Sequence, residues 1–398
     1  MSQVSQVHYD KPQSHQGSST GGTLQTRYVI PGGRQIISNS IKILDLKINP
    51  NRSCKFPALV GAYSAIKRVQ IRLNSKEVDV WTAKSVLPYL ISMFGDNEYN
   101  KGMLSQVAMT GNNVVYDPNS KLLTLNRPNV DDRTATLNLS VYSDLLNKIG
   151  IINMPMEIII DWETTPGNFL LSNGGGGVDA FNILAPYLSY ETLSAYEKAQ
   201  PAQVEYTQWI EDQWAVPSIG GDNTQQQYEI RGNAFNNKYV HRLMLTNVPS
   251  SIVNNTPSAD LVQLYGIFGS YMSVAMKNEI FNIARDGMNL LTFRNVSNDA
   301  VKLSVAHDTW GKGLFVTNAH MHTNASVLLD LSGSPLNGYA SYGCCEISDF
   351  VRKELQITYR RTSDDGGDYP SLGAQLVVAA VAEVKVVLDG DEKVYVGM

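Results

Sequence analysis

Three cysteines in 398 residues are too few to build a disulfide framework. Two of them, Cys344 and Cys345, are adjacent and badly placed to bridge each other, because a disulfide demands a Cβ geometry that neighbours reach only under strain. Folding in a reducing compartment is expected on that ground. Charge is also sparse, with Asp, Glu, Lys and Arg making up 17% of the chain and a net charge of −5. Nothing in that balance suggests binding of nucleic acid through a bulk positive field. No apolar run approaches the roughly 18 to 20 residues that cross a bilayer as a helix. The first 26 residues are polar throughout, so no signal peptide is read there. Without such a signal, the Asn-x-Ser/Thr sequons at Asn51, Asn138, Asn254, Asn295 and Asn324 read as chance matches in an Asn-rich chain. The chain reads as made in a cytosol.

What is present is a succession of short β-branched and aromatic runs cut by Gly, Pro, Asn and Asp. Arg27-Tyr-Val-Ile30, Ile41-Lys-Ile-Leu-Asp-Leu-Lys-Ile48 and Ile66-Lys-Arg-Val-Gln-Ile-Arg-Leu73 alternate with a period near two, as strands with one buried face do. Leu122–Leu125, Ala135–Val141 and Met156–Trp162 continue the series. After a linker near residue 200 the pattern resumes at Tyr228–Ile230, Tyr239–Leu245, Leu290–Phe293, Val301–Val305, Leu314–Thr317 and Glu354–Tyr359. It ends in a Val-rich run, Leu376–Leu388, too β-branched to favour a helix. No helix-strand alternation replaces this pattern, which predicts an all-β chain of two β-sandwiches, each long enough to bury its own core.

Three segments depart from the rule. Residues 1–25 offer little apolar surface and are expected as a flexible, extended or disordered arm. Trp81–Phe94 carries an apolar stripe that Pro88 keeps from being a long helix. Pro257–Met272, with Ser258 as cap, is the best helix of the chain. Tyr190–Lys198 is open to a helical reading, while Ile183–Leu188 is suited to close the first sandwich.

Candidate chemistry is thin. His320 and His322 share one face of a strand at a spacing metal sites use, but no third ligand lies close in sequence. His307-Asp308 lacks a nucleophile elbow to serve. Cys344-Cys345 has no cationic setting that would activate a thiol. Gly174–Gly177 lacks the Lys-Ser/Thr of a phosphate loop. Glu157, Asp161 and Glu163 alternate as the solvent face of a strand would, and Arg360-Arg361 before Asp364-Asp365 reads as a charged turn. No catalytic residue, metal site or cofactor is expected, and the chain is read as not an enzyme.

Assembled in order, these elements resemble the double jelly-roll major capsid proteins. That family unites adenovirus hexons with capsid proteins of tailless internal-membrane phages, virophages and large DNA viruses. The residues carrying the resemblance are the polar arm, the first strand with Ile30-Pro-Gly-Gly33, Lys67–Asn74 leading into an excursion, Met156–Trp162, the junction near 200 and the helix at 258–272. The resemblance implies two tandem eight-stranded jelly-roll β-sandwiches with short helices in the connections: an arm at 1–25, a first roll at 26–200 and a second at 201–398. It implies a homotrimeric, pseudo-hexagonal capsomer tiled into an icosahedral virion shell and synthesised in the host cytoplasm. Its partners would be its own copies, penton and minor capsid proteins or an internal membrane, with no sequence-specific nucleic acid contact. His8, Lys11 and Arg27 would supply the cationic contacts of the arm. Twenty tyrosines against ten phenylalanines suit wet interfaces, although tyrosine is also simply a good strand former. The alternative reading is a glycan-binding or adhesion β-sandwich, such as a viral spike or receptor binder, and an enzyme on a jelly roll stays open behind it.

Overall fold

The computed structural model describes residues 5–51, 54–57, 61–82, 114–117, 122–125, 135–141, 143–148, 151–152, 154–166, 171–172 and 180–193, and after them the strands from Gln203 to Gly397 given below. In chain order the first strands are β1 (Ser5–Asp10), β2 (Ser14–Gln16), β3 (Gln25–Ile30), β4 (Arg34–Gln35), β5 (Lys42–Pro50), β6 (Cys54–Pro57), β7 (Ile66–Leu73) and β8 (Lys76–Thr82). They continue with β9 (Val114–Asp117), β10 (Leu122–Leu125), β11 (Ala135–Asn138), β12 (Ile151–Ile152), β13 (Met156–Trp162), β14 (Leu171–Ser172), β15 (Phe181–Leu184) and β16 (Tyr187–Leu193). One short helix, α1 (Asp144–Lys148), lies between β11 and β12.

Two antiparallel sheets carry the first unit. One runs β1-β16-β5-β11 with β15 also on β5, and the other runs β2-β3-β13-β7-β8. Their inner faces supply the core. From the first sheet come Ile43, Leu46, Ile48, Leu137, Leu188 and Tyr190, all essentially without exposure. From the second come Tyr28, Ile30, Val69, Ile71, Met156, Ile158 and Ile160. Two apolar sheet faces closed on each other form the two-layer solution of a β-sandwich. Smaller sheets, β14-β6-β10-β9 and β12-β4, accompany them.

Local chemistry explains the register. β3 alternates half-buried and buried positions along its whole length. In β5 the phase slips: Ile43 is buried, then Leu46 and Ile48, with Asp45 at a positive φ of 55° between them. The pairing with β11 shifts at the same place. One extra residue in a strand makes such a bulge, and a short acidic side chain tolerates the left-handed backbone. Leu73 pairs with Lys76 across a two-residue loop, Asn74-Ser75, with φ of 45° and 66°. Two successive positive φ values are what a tight hairpin matched to the strand twist requires.

The amino-terminal segment is corrected by the structure. Ser5–Asp10 and Ser14–Gln16, expected as a flexible arm, are strands paired with β16 and β3. The physical reason is polar: the His8, His15 and Asp10 side chains find partners on the neighbouring strands, which apolar content alone did not reveal. Tyr190–Leu193 is strand and not helix, because Leu188, Tyr190 and Thr192 alternate into the interior. Ala135–Val141 splits into β11 and a 3-10 turn over Leu139–Val141. Residues 83–94 and 257–272 lie outside the described residues, as do the expected strands at 301–305 and 314–317.

Beyond residue 200 the strands are β17 (Gln203–Val216), β18 (Gln226–Gly232), β19 (Tyr239–Pro249), β20 (Met276–Arg285), β21 (Met288–Thr292), β22 (Val327–Asp330), β23 (Cys345–Glu346), β24 (Leu355–Ser363), β25 (Ala374–Leu388) and β26 (Val394–Gly397). They form a sheet ordered β17-β25-β19-β22, with β23 on β19 and β26 on β25, and a four-stranded sheet ordered β18-β24-β20-β21. The Val-rich run is thus one 15-residue strand, β25, as expected of its branching. Arg360 and Arg361 sit inside β24 opposite Gln227 and Gln226, and not in a turn. The first compact unit takes in β1 to β16, β17 up to Gln208 and the chain from Glu383 onward; Trp209–Ala382 belongs to the second.

Ile158 lies at the centre of β13 with no exposure. Ile158→Ala is expected to lower stability by about 2–5 kcal/mol in urea unfolding, as large-to-small core changes do. Val7→Ala, at a position 44% exposed, should stay within about 0.5 kcal/mol.

Candidate interaction site at the amino-terminal strands

β1 brings His8 and Asp10 onto the face it shares with β16. His8 stands opposite Tyr190, and the two rings stack with centroids 4.9 Å apart and planes 15° from parallel. The His8 Nε2 lies 2.7 Å from Thr192 Oγ1. Arg34, from β4, places Nη1 3.2 Å from His8 Nδ1 and also donates to the Tyr190 hydroxyl. Its guanidinium carbon sits 5.7 Å from the Tyr190 ring centre, within cation–π range. The Tyr190 hydroxyl in turn donates to Asp10 Oδ2 at 2.8 Å. Burial, and the adjacent Arg34 charge after it, lower the His8 pKa below its ordinary 6.5, with Asp10 opposing. The Tyr190 hydroxyl is pushed above its usual range by burial and by its bond to Asp10.

β2 is anchored separately. His15 Nδ1 lies 2.8 Å from Thr26 Oγ1, and its Nε2 lies 2.8 Å from the carbonyl of Ile183. Thr26 Oγ1 also accepts the indole N–H of Trp162 at 2.8 Å. Gly17 is needed beside this bridge, since a Cβ there would fall 1.9 Å from the Ile183 oxygen.

The three residues assigned to an assembly arm therefore have different fates. His8 is held against β16. Arg27 donates from Nη2 to Glu157 Oε1 at 2.7 Å, in a pair whose carboxylate is only 11% exposed. Lys11 is exposed. Glu157 and Asp161 also depart from the bare solvent face expected of them: Glu157 holds Arg27, and Asp161 accepts from Gln25 at 2.7 Å. Outward, β1 carries Val7 at 44% and Tyr9 at 64% exposure, on a strand at the edge of its sheet.

A second polar cluster is internal. Asp79 on β8 is fully enclosed and accepts from Ser143 Oγ at 2.5 Å. Ser143 precedes α1, and its hydroxyl also receives the Leu146 N–H at 3.4 Å. In the next residue, Asp144 Oδ2 takes Lys148 Nζ at 2.9 Å and the Thr207 N–H at 2.9 Å. Tyr206 donates to the Val78 carbonyl. Burial pushes the Asp79 carboxyl up to about 7, against the bonds from Ser143 and the Val80 amide, with Asp144 and Glu77 adding to the rise. Sequence patterning missed this residue, because a lone aspartate in a strand reads as solvent-facing.

Among the described residues no cluster of three or more His, Cys, Asp or Glu could hold a metal ion, and no helix is long and apolar enough to cross a membrane. His307, Asp308, His320, His322, Cys344 and Gly174–Gly177 lie outside the described residues.

Compared with solved structures, the chain matches VP54 of PBCV-1, as fitted into a cryo-EM reconstruction of the virophage Sputnik, with a TM-score of 0.66. Identity there is 11%, and the match covers 100% of this chain and 98% of that one. The cryo-EM structure of the Sputnik virophage matches at 0.59 with 10% identity, covering 99% of this chain and 88% of that one. The Faustovirus major capsid protein matches at 0.56 with 10% identity, covering 98% and 91%. No family model matches the sequence, and no curated protein is detectably similar to it. The fold is a double jelly roll, all-β as expected, the fold shared by these major capsid proteins.

Asp79 yields a pH test. Its folded-state pKa lies above the ordinary 3.8, so it opposes folding increasingly as pH rises from about 4 to about 7 and constantly above that. Asp79→Asn is expected to gain about 1–4 kcal/mol near pH 8 and almost nothing near pH 4. Urea unfolding of both proteins across that range measures it.

Proposed function

We propose that this chain is a major capsid protein that trimerises into pseudo-hexagonal capsomers and tiles an icosahedral virus shell. The observation that carries the reading is the correspondence with VP54 of PBCV-1 along 100% of this chain and 98% of that one. A likeness confined to one roll would fit any sandwich protein. One that spans both rolls fits a chain whose tandem sandwiches are used together. Three such chains present six similar sandwiches, and a six-cornered unit packs into a sheet without gaps. The two rolls, at 26–200 and 201–398, would each provide one corner.

The physical properties of the described unit agree with a structural role. The two-sheet sandwich buries its apolar faces internally, and polar pairs such as Arg27–Glu157 and Tyr190–Asp10 hold strands together. On this reading the protein is not an enzyme and needs no cofactor. It resides in the virion after synthesis in the host cytoplasm, and meets its own copies, pentons, minor capsid proteins or an underlying membrane. The contact surface at the amino terminus is the outer face of β1, with Val7, Tyr9 and the exposed Lys11, in place of a free arm; His8 and Arg27 serve the fold.

Light scattering on the purified native protein tests the proposal, followed by negative-stain imaging of the same peak. The expected result is a stable particle near three times the 43.9 kDa of one chain, with a hexagonal outline. A monomer that binds a glycan array would overturn it in favour of adhesion.

A further inference from the structure

The bonds around His8 determine its proton. An arginine side chain has no acceptor, so Arg34 donates to His8 Nδ1 across 3.2 Å, and that nitrogen carries a lone pair. The ring proton then sits on Nε2 and donates to Thr192 Oγ1 at 2.7 Å. Only a neutral imidazole in this tautomer satisfies both contacts. A second proton, on Nδ1, would point a donor at a donor and set two cations against each other.

The surroundings do not compensate. Facing His8 are Arg34 from β4, Asp10 from β1 itself, and Tyr190 and Thr192 from β16. Asp10 favours a charged ring, but its Oδ2 is taken by the Tyr190 hydroxyl at 2.8 Å. Glu191, between Tyr190 and Thr192, projects from the other face of β16 by strand alternation. The stack on Tyr190 is shared with Arg34, 5.7 Å from the same ring. Beyond its backbone pairing with β16 and the Tyr190–Asp10 bond, no apolar burial holds the strand: β1 is a six-residue edge strand with Ser5, Gln6, Val7 and Tyr9 exposed.

We propose that His8 is an acid-sensitive latch: protonation of its ring releases Ser5–Asp10 from β16 while the sandwich behind it stays folded. Release converts β16 into the sheet edge and leaves its backbone groups facing β1 without their partners. The sign follows from the neutral requirement. Docking is complete above the ordinary 6.5 of a free imidazole, which the folded state depresses, and weakens as pH falls below it. β2 is held through its own bridge at His15, outside this contact.

Amide hydrogen exchange on the full chain tests the latch, with rates corrected for the intrinsic pH dependence of exchange. Protection in Ser5–Asp10 is expected to fall roughly tenfold or more between about pH 7.5 and about pH 5, while β13 keeps its protection. His8→Gln retains an acceptor for Arg34 and a donor for Thr192 without titrating, and should hold β1 equally at both pH values. His8→Phe keeps the stack but no bond and should leave β1 poorly protected at both. Equal protection of β1 in the unaltered protein at both pH values would overturn the latch. So would a tenfold fall that persists in His8→Gln, or β1 and β13 losing protection together.

Discussion

The pairing of β13 on both its sides is the constraint on which the described unit rests. Met156–Asp161 aligns with β3 on one edge, and Met156–Trp162 with β7 on the other. Five of its seven residues are apolar, and Met156, Ile158 and Ile160 point into the core with no exposure. A strand hydrogen-bonded along both edges cannot slip by one residue without turning its whole apolar set outward. Once it is in register, β3 and β7 are set, and through them β2 and β8. The indole of Trp162 then meets Thr26 across the sheet, and His15 of β2 closes on the same hydroxyl.

Polar chemistry decides how the periphery attaches to that frame. The amino-terminal strands contribute almost nothing to the core, yet they are held by a chain of side-chain bonds running through His8, Arg34, Tyr190 and Asp10 and by the bridge at His15. Such bonds are individually modest, because each replaces bonds to water. Elements fixed this way are the ones a change in protonation can free, in contrast to β13, whose hold is apolar burial and backbone pairing. The same division separates Asp79 from the core around it. Its carboxyl is enclosed with a serine donor and an adjacent backbone amide but, among the described residues, no cation at hand, so its charge is resisted by burial.

On the proposed reading, this arrangement suits a structural protein of a shell. Shell building needs a sandwich that closes its own apolar faces and edges that can be paired or released. The double jelly roll supplies the first, and edge strands such as β1 supply the second.

The all-β class, the two-sandwich plan and many of the strand positions were legible in the residues, because period-two alternation is a property of consecutive side chains and needs no partner. β3, β7, β13 and β25 fall where branching and alternation place them. What the sequence did not show is what depends on partners far along the chain. Ser5–Asp10 looked unstructured because its apolar content is low; its order comes from Tyr190 and Thr192, 180 or more residues away. Glu157 looked solvated because strand alternation says nothing of what lies across the sheet, where Arg27 waits. Asp79 is buried by α1 and by the start of β17, two elements with no sequence proximity to it. Local pattern determined which segments would be strands, since backbone sterics and side-chain alternation act over two or three residues. Only the tertiary structure decided which polar groups would be enclosed and paired, because desolvation and hydrogen bonding are set by whatever the fold brings alongside.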